Sequence, residues 1–147
     1  MVQKIRIAYE TELMALLDLL YQLSPKSEED SKASKRALER TLKAMIKNED
    51  YRLAVCDVDG KIAGTATLLV QQNLSHGGRP YGHIENVVTD AASRGKGIGA
   101  ELVRYLLAEA KKRNCYKVIL DCKEDNVSFY EKLGMHKTSE VELRIDL

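Results

Sequence analysis

Between Arg94 and Ala100 the chain reads Arg-Gly-Lys-Gly-Ile-Gly-Ala, with glycines at alternate positions and two cations among them. Glycine reaches positive φ without a Cβ penalty, so successive backbone N–H groups in such a stretch can converge on one point. Where a helix follows, its positive N-terminal end adds to them, and the stretch reads as an anion nest suited to phosphate. The spacing is not that of the two commonest phosphate loops: no Gly-Lys-Ser/Thr closes it, and Gly95, Gly97 and Gly99 do not form G-x-G-x-x-G. On spacing alone, a glycine-rich strand-to-helix connection without a ligand is the alternative.

Other residue types bear on chemistry one at a time. Glu85 lies in an otherwise apolar strand. A carboxylate there is either desolvated or held charged by partners, and both conditions mark candidate sites. An outward-facing strand position is the plainer reading. Tyr130 falls at a helical spacing that equally suits a packed ring with its hydroxyl on a backbone carbonyl. His76, His83 and His136 lack metal-ligand spacing, and Cys115 and Cys122 have no second pair, so no metal is expected. Cys122 reads as a small buried strand residue. Lys111, Lys112 and Arg113 read as a solvated helix end favoured by the dipole.

The scaffold follows from hydrophobic period. Ile5 to Ala8 predicts a short strand, and Leu13, Leu16, Leu17, Leu20 and Leu23 predict a helix that starts at Thr11 and stops at Ser24-Pro25. Lys26 to Lys35 is polar and predicts a surface connection, before a second helix with Leu38, Leu42, Met45 and Ile46 on one face, closed by Asn48. Tyr51 to Cys56 and Ile62 to Gln71 flank Asp59-Gly60 and predict an antiparallel hairpin. Asn73 to Pro80 reads as a loop and Gly82 to Thr89 as a strand. A long amphipathic helix follows the glycine stretch, ended by Asn114. Then come a strand over Lys117 to Cys122, a short helix over Asn126 to Leu133 stopped by Gly134, and a last alternating strand over Val141 to Leu147. Hairpin and crossover connections together predict an α+β (mixed α/β) fold.

The chain has 147 residues, 23 basic and 22 acidic, for a net charge of +1. That length suits one domain, residues 1–147, burying about two thirds of its surface without a staple. A charge near zero gives no global field for nucleic acid or anionic lipid, and no Trp with one Phe leaves little to stack on bases. No apolar run reaches the ~18 residues of a membrane span. An odd number of cysteines, in a chain that opens Met1-Val2-Gln3-Lys4, predicts a reduced, cytoplasmic protein.

Arginine, two residues, glycine, one residue, glycine at the head of a helix resembles the acetyl-CoA signature of the GNAT acyltransferases, and the order of elements is similar throughout. His83-Ile84-Glu85-Asn86-Val87-Val88, Asn114 to Lys117, Leu120-Asp121-Cys122 and Asn126 to Gly134 resemble one branch of that superfamily, glucosamine-6-phosphate N-acetyltransferase. The resemblance implies a central, mostly antiparallel mixed sheet of about six or seven strands with about four helices. It implies acetyl-CoA as co-substrate, an amino-sugar acceptor and a homodimer. The backbone of Val87 and Val88 would pair with the pantetheine arm. Amides of Gly95, Lys96, Gly97, Ile98, Gly99 and Ala100 would hold the pyrophosphate beside Arg94. Asn126 and Tyr130 would flank the thioester, Tyr130 serving the departing thiolate. Glu85 and the Asp121 carbonyl would face the acceptor amine. His76, Asn86, Tyr116 and Lys117 would line the acceptor side, Tyr116 and Lys117 across a dimer interface. Where the branch carries an acidic pair, this chain has Glu85-Asn86, and near its end only Arg144 offers a phosphate ligand.

An amine attacks a thioester only through a free lone pair, so such a site needs a proton acceptor and a donor for the leaving sulfur. Glu85 and Tyr130 supply the two. Direct transfer calls for no nucleophilic cysteine and no metal. Other amines, whether amino acid, polyamine, antibiotic or protein N-terminus, fit the same machinery, and a CoA-binding sensor that lost catalysis is the reading from another class.

Overall fold

The computed structural model describes residues 2–147. Its elements are β1 (Gln3–Ile7), α1 (Leu13–Leu23), α2 (Glu28–Lys32), α3 (Lys35–Lys47), β2 (Tyr51–Val58), β3 (Lys61–Gln71), α4 (Ser75–Gly78), β4 (Tyr81–Thr89), α5 (Ile98–Lys112), β5 (Val118–Ile119) and α6 (Val127–Glu131). One sheet runs in chain order, β1-β2-β3-β4-β5. The first four strands are antiparallel neighbours, and β5 lies parallel to β4. Parallel pairing requires a crossover, which α5 supplies.

Strand alternation divides the core between the two faces of the sheet. On β2, Ala54 and Cys56 pack toward Leu102, Val103 and Leu106 of α5, while Leu53 and Val55 pack toward Leu13, Leu16 and Leu42 of α1 and α3. The hairpin turn is built by Asp59 and Gly60 at φ 50° and 86°, the left-handed pair such a turn demands. Seating of α5 depends on Gly64: a Cβ there would lie 2.8 Å from Ile98 Cγ2 and 3.1 Å from the Val88 carbonyl oxygen. With no side chain at that point, the N-terminal end of the helix rests directly on β3 and β4.

Four expectations are corrected. The described residues form five strands and six helices, not six or seven strands and about four helices. Part of the difference is α2, where Ser27 and Asp30 form a capping box that nucleates a turn in the polar segment. Thr11 caps nothing; it sits inside a 3₁₀ turn, Glu10–Glu12, that leads into α1. The predicted strand over Lys117 to Cys122 pairs only at Val118 and Ile119, which leaves Asp121 and Cys122 outside the sheet and Cys122 exposed. The predicted last strand does not form. Val141, Leu143 and Ile145 are 79%, 91% and 80% exposed, because a two-residue β5 offers no edge long enough to dock an alternating segment.

Candidate active site

One irregularity in β4 and one in β5 create the site. Between Thr65 and Thr67 of β3, β4 runs from Val88 to Glu85, so it carries one extra residue. Asn86, at φ 53°, is that bulge residue, and asparagine tolerates the left-handed region better than most side chains. The bulge resets the alternation: Ile84 and Val87, three apart, both pack toward α5, leaving Glu85 and Asn86 exposed together. Beside it, β5 pairs with β4 only at Gly82 and His83. From Ile84 to Thr89 β4 therefore has no partner strand on that side, and its end, Val87 to Thr89, borders a cleft.

That cleft, about 480 Å³, is bounded by Val87, Val88, Arg94, Gly95, Gly97, Ile98, Gly99, Ala100, Asn126 and Tyr130, ten of the expected cofactor residues. Lys96 alone of that set does not line it. Gly97, at φ 79°, is the N-cap of α5, and Gly95 lies at φ 76°. A Cβ on either would meet nothing within 4 Å, so both are needed for backbone conformation and not for space. Arg94 is tied back by its Nε, which donates to the Thr89 carbonyl at 3.3 Å. Gly99 is the closely packed member, its would-be Cβ 3.4 Å from the Phe129 ring.

Gln22, Leu23, Thr89 and Phe129 also border the cleft and were not expected there. Gln22 had no readable signal, since only the fold brings the end of α1 to the end of β4. Phe129, the sole Phe in the chain, was readable as an apolar neighbour of Tyr130 and packs against it edge to face at 4.9 Å.

Tyr130 borders both this cleft and a second groove of about 840 Å³ that includes Lys117, Asp121 and Cys122. Burial pushes its phenol above the ordinary tyrosine value, which keeps it protonated and able to donate. Asn126 precedes α6 without capping it by its side chain, so the amide is left to face the cleft.

The acceptor-side residues fall into two groups. Tyr81, His83 and Glu85 alternate along one face of β4, and Asp121 follows β5 beside them. His83 Nε2 lies 3.1 Å from Glu85 Oε1 and 3.9 Å from Asp121 Oδ2. The Glu85 side chain is 54% exposed, so the desolvated carboxylate that its apolar neighbours suggested is not what forms. In the second group His76, at φ 54° in α4, stacks on Tyr116 with centroids 3.8 Å apart, and Lys117 Nζ sits 5.4 Å and 5.5 Å from the rings of Tyr81 and Tyr116. Tyr81 and His83 are additions to the expected set. Arg144 is not brought to either group; it is 74% exposed and pairs with Asp146.

A helix N-terminus and glycine loop at one end of an unpaired strand edge, and a cluster of titratable side chains along the same strand, form an arrangement suited to an extended anionic ligand. The chain belongs to the GNAT acetyltransferases: the model described as "Acetyltransferase (GNAT) family" matches residues 13–135. Over 88 residues it is 46% identical to a glucosamine 6-phosphate N-acetyltransferase of Trypanosoma brucei brucei, covering 60% of this chain and 59% of that one. Over 93 residues it is 40% identical to the enzyme of the same name from Arabidopsis thaliana, covering 62% of each. The chain thus spans less than two thirds of the length of either relative. Among solved structures, an acetyltransferase of Trypanosoma brucei superimposes with a TM-score of 0.87 at 33% identity, covering 99% of this chain and 100% of that one.

Proposed function

We propose that the protein is an N-acetyltransferase that moves acetyl from acetyl-CoA directly to the primary amine of glucosamine 6-phosphate. The observation that carries this reading is the cleft along the unpaired end of β4, running from the glycine loop before α5 past Val87 and Val88 to Tyr130, with Glu85 exposed on the same strand just beyond it. Unpaired N–H and C=O groups on a strand edge accept an extended amide-bearing arm as an added strand. The nest fits a diphosphate, with Arg94 beside it. Acetyl-CoA supplies an activated thioester, and the rest of the chemistry belongs to the chain. Glu85, exposed to the acceptor side, takes a proton from the incoming ammonium. Tyr130, kept protonated by burial, donates to the leaving sulfur. Asp121 and Asn86 flank the amine, and His76, Tyr116 and Lys117 offer an aromatic and cationic surface for a phosphorylated sugar.

The names of the curated relatives support the sugar phosphate as acceptor. Arg144 supports a rival amine: paired with Asp146 and exposed, it leaves Lys117 as the cation of the acceptor-side set. Thiol release from acetyl-CoA across a panel of amines separates the two. A non-catalytic CoA-binding sensor would bind CoA and release thiol with none of them.

A cytoplasmic homodimer belongs to the same proposal. The exposed, alternating Val141, Leu143 and Ile145 are a segment suited to burial against a second copy, and Lys117 lines the same groove as Val141. Sedimentation as a monomer at micromolar concentration would contradict it. No helix among the described residues is long and apolar enough to cross a membrane, and the balance of 23 basic against 22 acidic side chains supports neither a lipid nor a nucleic-acid partner.

A further inference from the structure

We propose that His83 is the proton store behind Glu85: it accepts from Glu85 the first proton taken off the acceptor, so that Glu85 can take the second. The inference rests on the acetyl-transfer reading above and extends it to a residue outside the thioester path.

Its need follows from counting protons. An amine arrives as R–NH3⁺ and leaves as R–NH–COCH3, so nitrogen loses two protons while its bond to the acyl carbon forms and the carbon–sulfur bond breaks. The first must go before attack, to free the lone pair. The second goes as the adduct collapses. Tyr130 gives one proton to sulfur. Of the two from nitrogen, one restores Tyr130 and one goes to water. A single carboxylate holds one proton at a time, so for Glu85 to take both it has to discharge between the two events.

The geometry points to His83 as the place it discharges to. Its Nε2 is 3.1 Å from Glu85 Oε1, close enough for direct transfer. That nitrogen is buried, and its short approach to Glu85 is not aligned as a hydrogen bond in this arrangement, so transfer follows a small turn of either side chain. The positive charge formed on the ring lies between Glu85 at 3.1 Å and Asp121 at 3.9 Å, and no Lys or Arg pairs with either carboxylate among the described residues. His83 therefore acts through Glu85, without touching the acceptor. The three groups present ligand atoms within 4.8 Å of one another, a spread that a divalent cation also fits, and the test separates proton from cation.

The test compares His83→Ala and His83→Gln with the unaltered protein, using acetyl-CoA and whichever amine the unaltered protein acetylates. Glutamine keeps an N–H donor near the position of Nε2 but accepts no proton. Both variants are expected to lose kcat by ~10–100-fold with KM for acetyl-CoA unchanged, and added imidazole is expected to restore much of the loss in His83→Ala only. Full kcat in His83→Gln would show that the residue merely orients Glu85 and overturn the proposal, as would an imidazole-insensitive His83→Ala that keeps its melting temperature. Loss of wild-type activity on adding a chelator would overturn it in favour of a cation. Absence of thiol release with every amine in the unaltered protein would instead contradict the acetyl-transfer reading, and this inference with it.

Discussion

Gln22, at the end of α1, holds Asp90 and the residue after it in one grip: its Nε2 donates to Asp90 Oδ1 at 3.0 Å, and its Oε1 accepts from the Ala91 N–H at 2.9 Å. Asp90 is the first residue after β4 and leads into the glycine nest. The amide of a single α1 side chain therefore fixes the start of the glycine loop against the helix that walls the cleft. Net hydrogen bonds of this kind are worth about 0.5–1.5 kcal/mol each. Replacing Gln22 by Ala is expected to raise KM for acetyl-CoA roughly 3–10-fold while kcat stays within about twofold. Unchanged CoA affinity by calorimetry would show that the loop holds itself.

Tyr130→Phe removes the hydroxyl proposed as proton donor and keeps the ring against Phe129. The expected result is a fall in kcat of ~100-fold or more at unchanged CoA affinity. Equal loss of affinity and turnover would reduce Tyr130 to a packing residue.

At Gly64 a methyl group would meet Ile98 at 2.8 Å and the Val88 carbonyl at 3.1 Å, and a backbone oxygen cannot step aside as a side chain can. Gly64→Ala is expected to cost about 1–3 kcal/mol and lower Tm by several degrees. Because α5 carries the nest, CoA affinity is expected to fall with it. A variant of unchanged Tm would mean that the helix re-seats freely.

Acid sensitivity is expected from β1. Arg6 donates to Glu12 at 2.6 Å and to Asp57 at 2.9 Å, and burial leaves the arginine 13% exposed. Burial works against the charge on Glu12, but Arg6 and the Tyr9 amide outweigh it and hold its carboxyl below the usual range. Arg6 and the Gly60 amide do the same for Asp57. Carboxylates with depressed values stabilise the fold above their unfolded value of about 4, and that stability is lost as pH falls through the folded values. Arg6→Met is expected to cost about 2 kcal/mol at pH 7 and to flatten the loss of stability below about pH 5. An identical acid profile in the variant, followed by urea unfolding at several pH values, would remove the network from the account.

Local signals carried most of this architecture. Asp59-Gly60 marks a hairpin turn, the apolar face of α5 has a period of 3.6, and Arg94 to Ala100 lies between a strand and a helix, so the glycine loop at the head of α5 was legible in the sequence. What was not legible depends on partners. Val118 to Leu120 is as apolar as a full strand, yet only Val118 and Ile119 pair with β4, and how far two strands pair is a property of both and not of one segment. The alternation of Val141 to Ile145 promises a strand but names no edge to receive it. His83 showed no ligand or catalytic spacing because its neighbours, Glu85 and Asp121, lie 2 and 38 residues away, and only the parallel pairing of β4 with β5 brings the second one near.

The most direct measurement is the rate of thiol release from acetyl-CoA with glucosamine 6-phosphate, glucosamine, polyamines, amino acids and an aminoglycoside offered in turn. The account predicts fast release with glucosamine 6-phosphate and slow or no release with the others. Tight CoA binding without release from any amine would contradict it.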